Sequence, residues 1–231
     1  EEKVEERTEE LNIKNRELAE RNKILENDIA RARAIQQKLI PEEYPSQKIA
    51  ALYHPMEKVG GDFFDFFLHD NPDLIGILIS DVSGHGIPAA FITSMLKTTI
   101  MQSGELKNNP AELLTYINSI LFGKTDGNFI TAFYSILNKK TNSMIYANAG
   151  HNYPFLIKEQ NVEEIKGKRS IPLASMPNDF LKEMGKEYTN NEISLPSTGK
   201  ILLYTDGLVE ATPMNDTERM FDENGLFDTL T

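Results

Sequence analysis

An α+β domain preceded by one long helix is the fold class this sequence predicts, and three observations predict it. Gly and Pro are absent before Pro41, and leucine recurs there every seven positions. Beyond Pro41 the chain breaks into short β-like runs separated by turn signals. Two helical patterns interrupt these runs before strands return. That order suits helices packed on antiparallel sheet better than alternating β-α units.

The leading helix comes first. Leu11, Leu18 and Leu25 lie seven apart, with Val4 in phase before them and Ala32 and Leu39 after. A repeat of seven sustained this far is a coiled-coil signature. With that series at the d positions, Thr8, Asn15, Asn22, Ile29 and Gln36 take the a positions. Asparagine at a lowers stability but selects register and a parallel two-stranded pairing. Arg21 with Glu26, and Asp28 with Arg33, add attractive pairs between parallel strands. The expected dimer interface is Leu11, Asn15, Leu18, Asn22, Leu25 and Ile29, marginal enough to be switched. The alternative is a single solvated helix lying on the domain. The chain thus divides into a linker helix over 1–40 and a domain over 41–231.

Pro41 and Pro45 end the helix. Strands are predicted over Lys48 to Glu57, Asp62 to Leu68 and Leu74 to Asp81. The last carries the run Leu74-Ile75-Gly76-Ile77-Leu78-Ile79, whose continuity predicts burial on both faces. Pro88 to Ser103 reads as a helix, and Asn109-Pro110 starts another that runs to about Phe122. Strands follow over Phe129 to Asn138, Ser143 to Ala149, Tyr153 to Lys158 and Val162 to Ile165. A less regular stretch leads to strands over Glu192 to Leu195 and Lys200 to Tyr204.

Composition sets limits. With 231 residues, 40% hydrophobic and 26% charged, the chain can fill one core. A net charge of −11 argues against nucleic-acid binding, which needs Lys and Arg to neutralise phosphates. Cysteine is absent, which removes disulfide and thiol chemistry and is compatible with the cytoplasm. No apolar run approaches the roughly 20 residues of a spanning helix, so no membrane contact is expected. The opening Glu1-Glu2-Lys3 and the closing Leu230-Thr231 read as cut ends of a longer protein.

Three acidic clusters stand at strand ends or turns: Gly60-Gly61-Asp62, the stretch from Ser80-Asp81-Val82 through Ser83-Gly84-His85-Gly86, and Tyr204-Thr205-Asp206-Gly207. Carboxylates there project from a rigid sheet edge, and glycines let carbonyls and waters approach a shared centre. Mg²⁺ and Mn²⁺ sites are built this way. A lone Asp-Gly is more often a plain turn; three behind buried strands leave the two readings balanced. His85, His151 and Asp206 lack the spacing of a zinc site, and no GxSxG elbow occurs. Asp62 and Asp65 are three positions apart, so a regular strand sends them to opposite faces. Both could reach one metal centre only if a bulge intervened or Asp62 lay before the pleat; Asp62 is the preferred metal-side residue, and Asp65 takes a supporting or structural role.

Six segments then appear in order: ARAIQQKLIP, VGGDFFDF, DVSGHGIPAAF, FITAFYSIL, YANAGHNYP and LLYTDGLVEA. Together they resemble the SpoIIE/RsbU branch of the metal-dependent PPM serine/threonine phosphatases, over about residues 30 to 215. The resemblance implies an α-β-β-α sandwich with a centre of two Mn²⁺ or Mg²⁺ ions at one end. It implies that Asp81 bridges both ions, that the Val82 carbonyl is a further ligand, that Asp206 holds the first ion, and that Asp62 holds the second directly or through water. The implied reaction is in-line hydrolysis of phosphoserine or phosphothreonine by a metal-activated water, on a STAS-type anti-anti-sigma protein in partner switching. An upstream sensor acting through the coiled coil is implied as well.

Two departures temper the resemblance. The histidine that larger relatives place directly after this Asp-Gly falls at Ser83, so no acid role passes to His85. His85 and His151 are expected to be structural, with Ser83, Gly84, Gly86 and Gly207. The family's later Asp-Asp-x-Thr-like motif, which supplies another ligand, does not occur in these residues. Weak metal binding, an open sheet edge, and a catalytically silent dimeric scaffold as the rival reading all follow from that.

Overall fold

The structure is a computed structural model describing residues 2–55, 58–159, 161–212 and 220–230. It opens with α1 (Glu2–Gln37), which is solvent-exposed over most of its length. Val4, Leu11, Leu18 and Leu25 are all more than half exposed. Ile29 and Ala32 are half-buried and Gln36 is buried. That spacing marks the helix face turned to the domain. The heptad seam is therefore covered from Ile29 onward and free before it, at Val4, Leu11, Leu18 and Leu25, so Ile29 is not free to carry a partner helix.

The stretch predicted as a strand over Lys48 to Glu57 is a loop through residue 55, and residues 56 and 57 lie outside the described residues. The stretch reads as a strand in sequence, but no strand pairs with it among the described residues. A ladder needs a partner as well as a pattern.

Then come β1 (Phe63–Leu68), β2 (Leu74–Val82), α2 (Gly86–Met101), α3 (Pro110–Leu121), β3 (Ile130–Asn138) and β4 (Ser143–Ala149). After them follow β5 (Phe155–Lys158), β6 (Asn161–Glu164), β7 (Arg169–Ser170), α4 (Asn178–Glu183), β8 (Asn191–Ser194), β9 (Lys200–Leu202) and α5 (Asp222–Leu230). The six-stranded sheet runs β1-β2-β3-β4-β7, with β8 also on β4; the second sheet runs β6-β5-β9. Pairing is antiparallel except between β4 and β7.

Alternation along the strands builds the layers. Ile130, Ala132, Tyr134 and Ile136 of β3 join Leu96, Ile100, Leu113 and Ile117 in the core under α2 and α3. Phe133, one residue out of phase, turns the other way to meet Tyr146, Leu156 and Ile165 between the two sheets. Leu226 of α5 packs with Phe155, Val162 and Val209 on the far face of the second sheet. The result is the α-β-β-α sandwich. β2 is buried on both sides, with Leu78 toward the helices and Ile79 toward the second sheet. α3 starts as its sequence predicts: Asn109 caps it by accepting from the Glu112 N–H, and Pro110 fills the first turn.

Candidate metal-bound active site

The acidic residues meet where β1, β2 and β9 end. β1 begins at Phe63, so Asp62 precedes the pleat. Phe63, Asp65 and Phe67 point into the core under α2, while Phe64 and Phe66 face outward and meet Tyr53 and Tyr44 in tilted ring contacts. Asp65 is buried at 3% exposure and pairs with Lys97 of α2 at 2.5 Å. It also accepts from the Phe66 N–H at 3.0 Å. Burial raises its pKa and Lys97 opposes the rise. The two aspartates of VGGDFFDFF are thus separated: Asp65 is tied to a helix and Asp62 is left at the sheet end.

Asp62 has one carboxylate oxygen, Oδ1, fully buried without a hydrogen-bond partner. Burial raises its pKa, the Thr205 hydroxyl offsets part of that, and Asp206 raises it further. Asp81, on β2, is pushed up to about 7 by burial first and then by Asp62, Asp206 and Glu210. Asp62, Asp81 and Asp206 therefore share one field, although they come from three segments. Among the described residues no three His, Asp or Glu side chains close into a cage around a cation. Hard divalent cations need no such cage, since water fills most of their coordination positions. An orphaned carboxylate oxygen beside mutually repelling carboxylates fits a cation of this type.

Backbone geometry explains the glycines. A Cβ on Gly61 would meet the Val82 carbonyl at 2.4 Å and an Asp81 carboxylate oxygen at 3.0 Å, so only glycine lets the two loops touch. The Gly61 carbonyl also accepts from the Val82 N–H and the Thr93 hydroxyl, both at 3.3 Å. Gly84 and Gly86 hold positive φ values of 88° and 74°, which turn the chain from β2 into α2. Ser83 is anchored twice to Phe129, through its N–H at 2.9 Å and its hydroxyl at 2.8 Å. His85 stands in extended conformation at the N-cap of α2. Gly207 has open space about it and lies with Asp206 in a short 3₁₀ turn, leaving that carboxylate exposed.

His151 is 1% exposed, and burial lowers its pKa to about 4. The ring is therefore neutral near pH 7. Gln36 carries no charge or metal-ligand chemistry, so its a-position pattern gave no hint of its place. Its amide donates to the Gly60 carbonyl at 2.6 Å and accepts the Gly60 N–H at 3.1 Å, tying α1 to the turn before Asp62.

Known proteins of this architecture are PP2C-type phosphatase domains. The SiaA-PP2C domain of Pseudomonas aeruginosa matches with a TM-score of 0.74 at 20% identity, over 90% of this chain and 82% of that one. The PP2C phosphatase domain of SpoIIE from Bacillus subtilis, with a regulatory fragment, matches at 0.53 and 22% identity over 66% of this chain and 43% of that one. The family model for stage II sporulation protein E (SpoIIE) matches residues 71–231, and the chain belongs to that family. Phosphoserine phosphatase RsbU of Bacillus subtilis is 27% identical over 212 residues, covering 87% of this chain and 60% of RsbU. Phosphoserine phosphatase RsbP of the same organism is 26% identical over 188 residues, 78% of this chain and 45% of RsbP. The chain thus spans about half the length of these relatives.

Proposed function

We propose that this chain is the catalytic part of a metal-dependent protein serine/threonine phosphatase acting on a phosphorylated STAS-type protein in partner switching. The observation that carries the reading is the orphaned Asp62 oxygen beside Asp81, in a chain of the SpoIIE family. Asp81 would hold both ions, the Val82 carbonyl would be a further ligand, Asp206 would hold the first ion, and Asp62 would hold the second directly or through water. Mn²⁺ or Mg²⁺ bound there lowers the pKa of a water and offsets phosphoryl charge. The protein's own part is to hold these oxygens fixed and to leave Asp206 open to a protein substrate. Among the described residues no helix is long and apolar enough to cross a membrane, and a cytoplasmic setting suits this substrate. Mn²⁺ titration against a phosphorylated STAS-domain protein tests the reading: saturable, metal-dependent phosphate release is expected, and its absence at millimolar metal refutes it. The open acidic site and the exposed leucine stripe favour a second reading, a silent dimeric scaffold, which that refutation would leave standing.

Control runs through α1. A parallel partner helix on Leu11, Asn15, Leu18, Asn22 and Leu25, ordered by an upstream sensor, would shift Gln36 against Gly60 and thereby Asp62. Gln36→Ala is expected to lower metal-dependent turnover several-fold while costing about 1–2 kcal/mol of stability. Leu18→Asp with Leu25→Asp is expected to abolish dimerisation in sedimentation and to change turnover. Wild-type kinetics in both variants would refute control through the helix.

A further inference from the structure

We infer that His151 is a positioning residue that sets the Asp206 segment against the Asp81 strand. This rests on the reading of Asp81 and Asp206 as metal ligands. The two stand on different sheets: Asp81 near the end of β2, and Asp206 in the turn after β9. Apolar side chains fill the space between the sheets. Such contacts are non-directional, so they set layer spacing without orienting a carboxylate. A reactive constellation needs placement to about 0.5 Å. Directional contacts have to cross from one sheet end to the other; the Thr205 hydroxyl on Asp62 is one, and His151 supplies another.

His151 is built to cross. Its backbone is held on both sides by Asn148, whose Oδ1 accepts the His151 N–H at 2.8 Å and whose amide donates to the His151 carbonyl at 3.0 Å. Gly150 before it takes φ 74°, with Pro172 occupying the space a side chain would need. The ring direction is therefore imposed. Nδ1 lies 2.8 Å from the Thr131 hydroxyl, and Thr131 is the register partner of Asp81. The same hydroxyl lies 3.5 Å from the Asp81 carbonyl. If that hydroxyl donates to the nearer acceptor, Nδ1, the ring proton sits on Nε2.

Nε2 is fully buried and completes no hydrogen bond among the described residues. The backbone that faces the ring is that of Tyr204, two residues before Asp206. One edge of the imidazole is therefore bonded beside Asp81, and the other turns Nε2 toward the Asp206 segment. A buried ring serving only to fill space would be better as Phe, which strands no donor.

The test measures Mn²⁺ binding by calorimetry, without substrate, together with Tm, in wild type, Asp206→Asn and three His151 variants. His151→Asn keeps a polar atom near Thr131, His151→Gln keeps one on the Tyr204 side, and His151→Phe keeps only volume. The expected result is about tenfold weaker Mn²⁺ binding in His151→Asn and His151→Phe, largely restored in His151→Gln, with no matching order in Tm. If His151→Phe fails to fold, the Asn and Gln variants decide alone. Asp206→Asn that weakens Mn²⁺ while every folded His151 variant binds as wild type, or loses affinity only in step with Tm, overturns the positioning role. Wild type that binds no Mn²⁺, or an Asp206→Asn that binds it equally well, overturns the ligand assignment and this inference with it.

Discussion

Replacing Asp81 by asparagine is expected to lower phosphoprotein turnover by on the order of 10³-fold, about 4 kcal/mol of barrier, while making the metal-free protein more stable above neutral pH. Both effects have one origin. Asp81 is half-buried, and burial first, then Asp62, Asp206 and Glu210, push its pKa up to about 7. In the unfolded chain it titrates near the ordinary carboxylate value. Between those values the folded protein binds the extra proton, so this group's contribution to stability is fully present at low pH and is lost as pH rises through about 7. Metal-free wild type should accordingly show a lower Tm at pH 8 than at pH 5.5 from this group. Asp81→Asn, which cannot ionise, should remove that part of the slope, and added Mn²⁺ should remove it in wild type. Thermal melts at the two pH values with and without metal check it; an unchanged slope in Asp81→Asn would show that burial and the neighbouring carboxylates do not hold this group protonated.

The second large effect separates the two aspartates that look equivalent in VGGDFFDFF. Lys97→Met leaves the Asp65 carboxylate buried without its cation and is expected to cost about 3–5 kcal/mol. Asp65→Asn, which keeps an acceptor for the Phe66 N–H and lets Lys97 turn outward, should cost about 2 kcal/mol. Asp62→Asn should do the reverse: it relieves repulsion at the sheet end, holds or raises stability, and lowers turnover by about 10²-fold or more at saturating metal. Urea unfolding and turnover measured on all three decide it. Equal loss of turnover in Asp62→Asn and in a folded Asp65→Asn would defeat the assignment.

Much of this architecture is legible along the chain because it rests on local rules. Period-two alternation in β1 and β3, the unbroken apolar run of β2, and the Asn109-Pro110 start of α3 each express a preference that neighbouring residues settle between themselves. The same alternation separates Asp62 from Asp65 before any contact is known. The errors fall where local preference needs a distant partner. Residues 48–55 carry a strand pattern and remain a loop, since no ladder meets them among the described residues. β7, only Arg169–Ser170, exists through its pairing with β4. α4 escapes the pattern as a helix of 6 residues, and α5 as one containing Gly225; α5 is held by Leu226 against the second sheet.

What the sequence by itself determined is most of the strands and helices, the acidic residues near their ends, and the family that its six segments mark. Only the tertiary structure decided that Asp62, Asp81 and Asp206 share one field, that Gln36 is fastened to Gly60, and that His151 stands between Thr131 and the Tyr204 backbone. The reason is physical. Backbone preference and hydrophobic period act over a few residues, whereas electrostatic repulsion and buried hydrogen bonds depend on distances between segments far apart in the chain, and those distances exist only once the two sheets have packed.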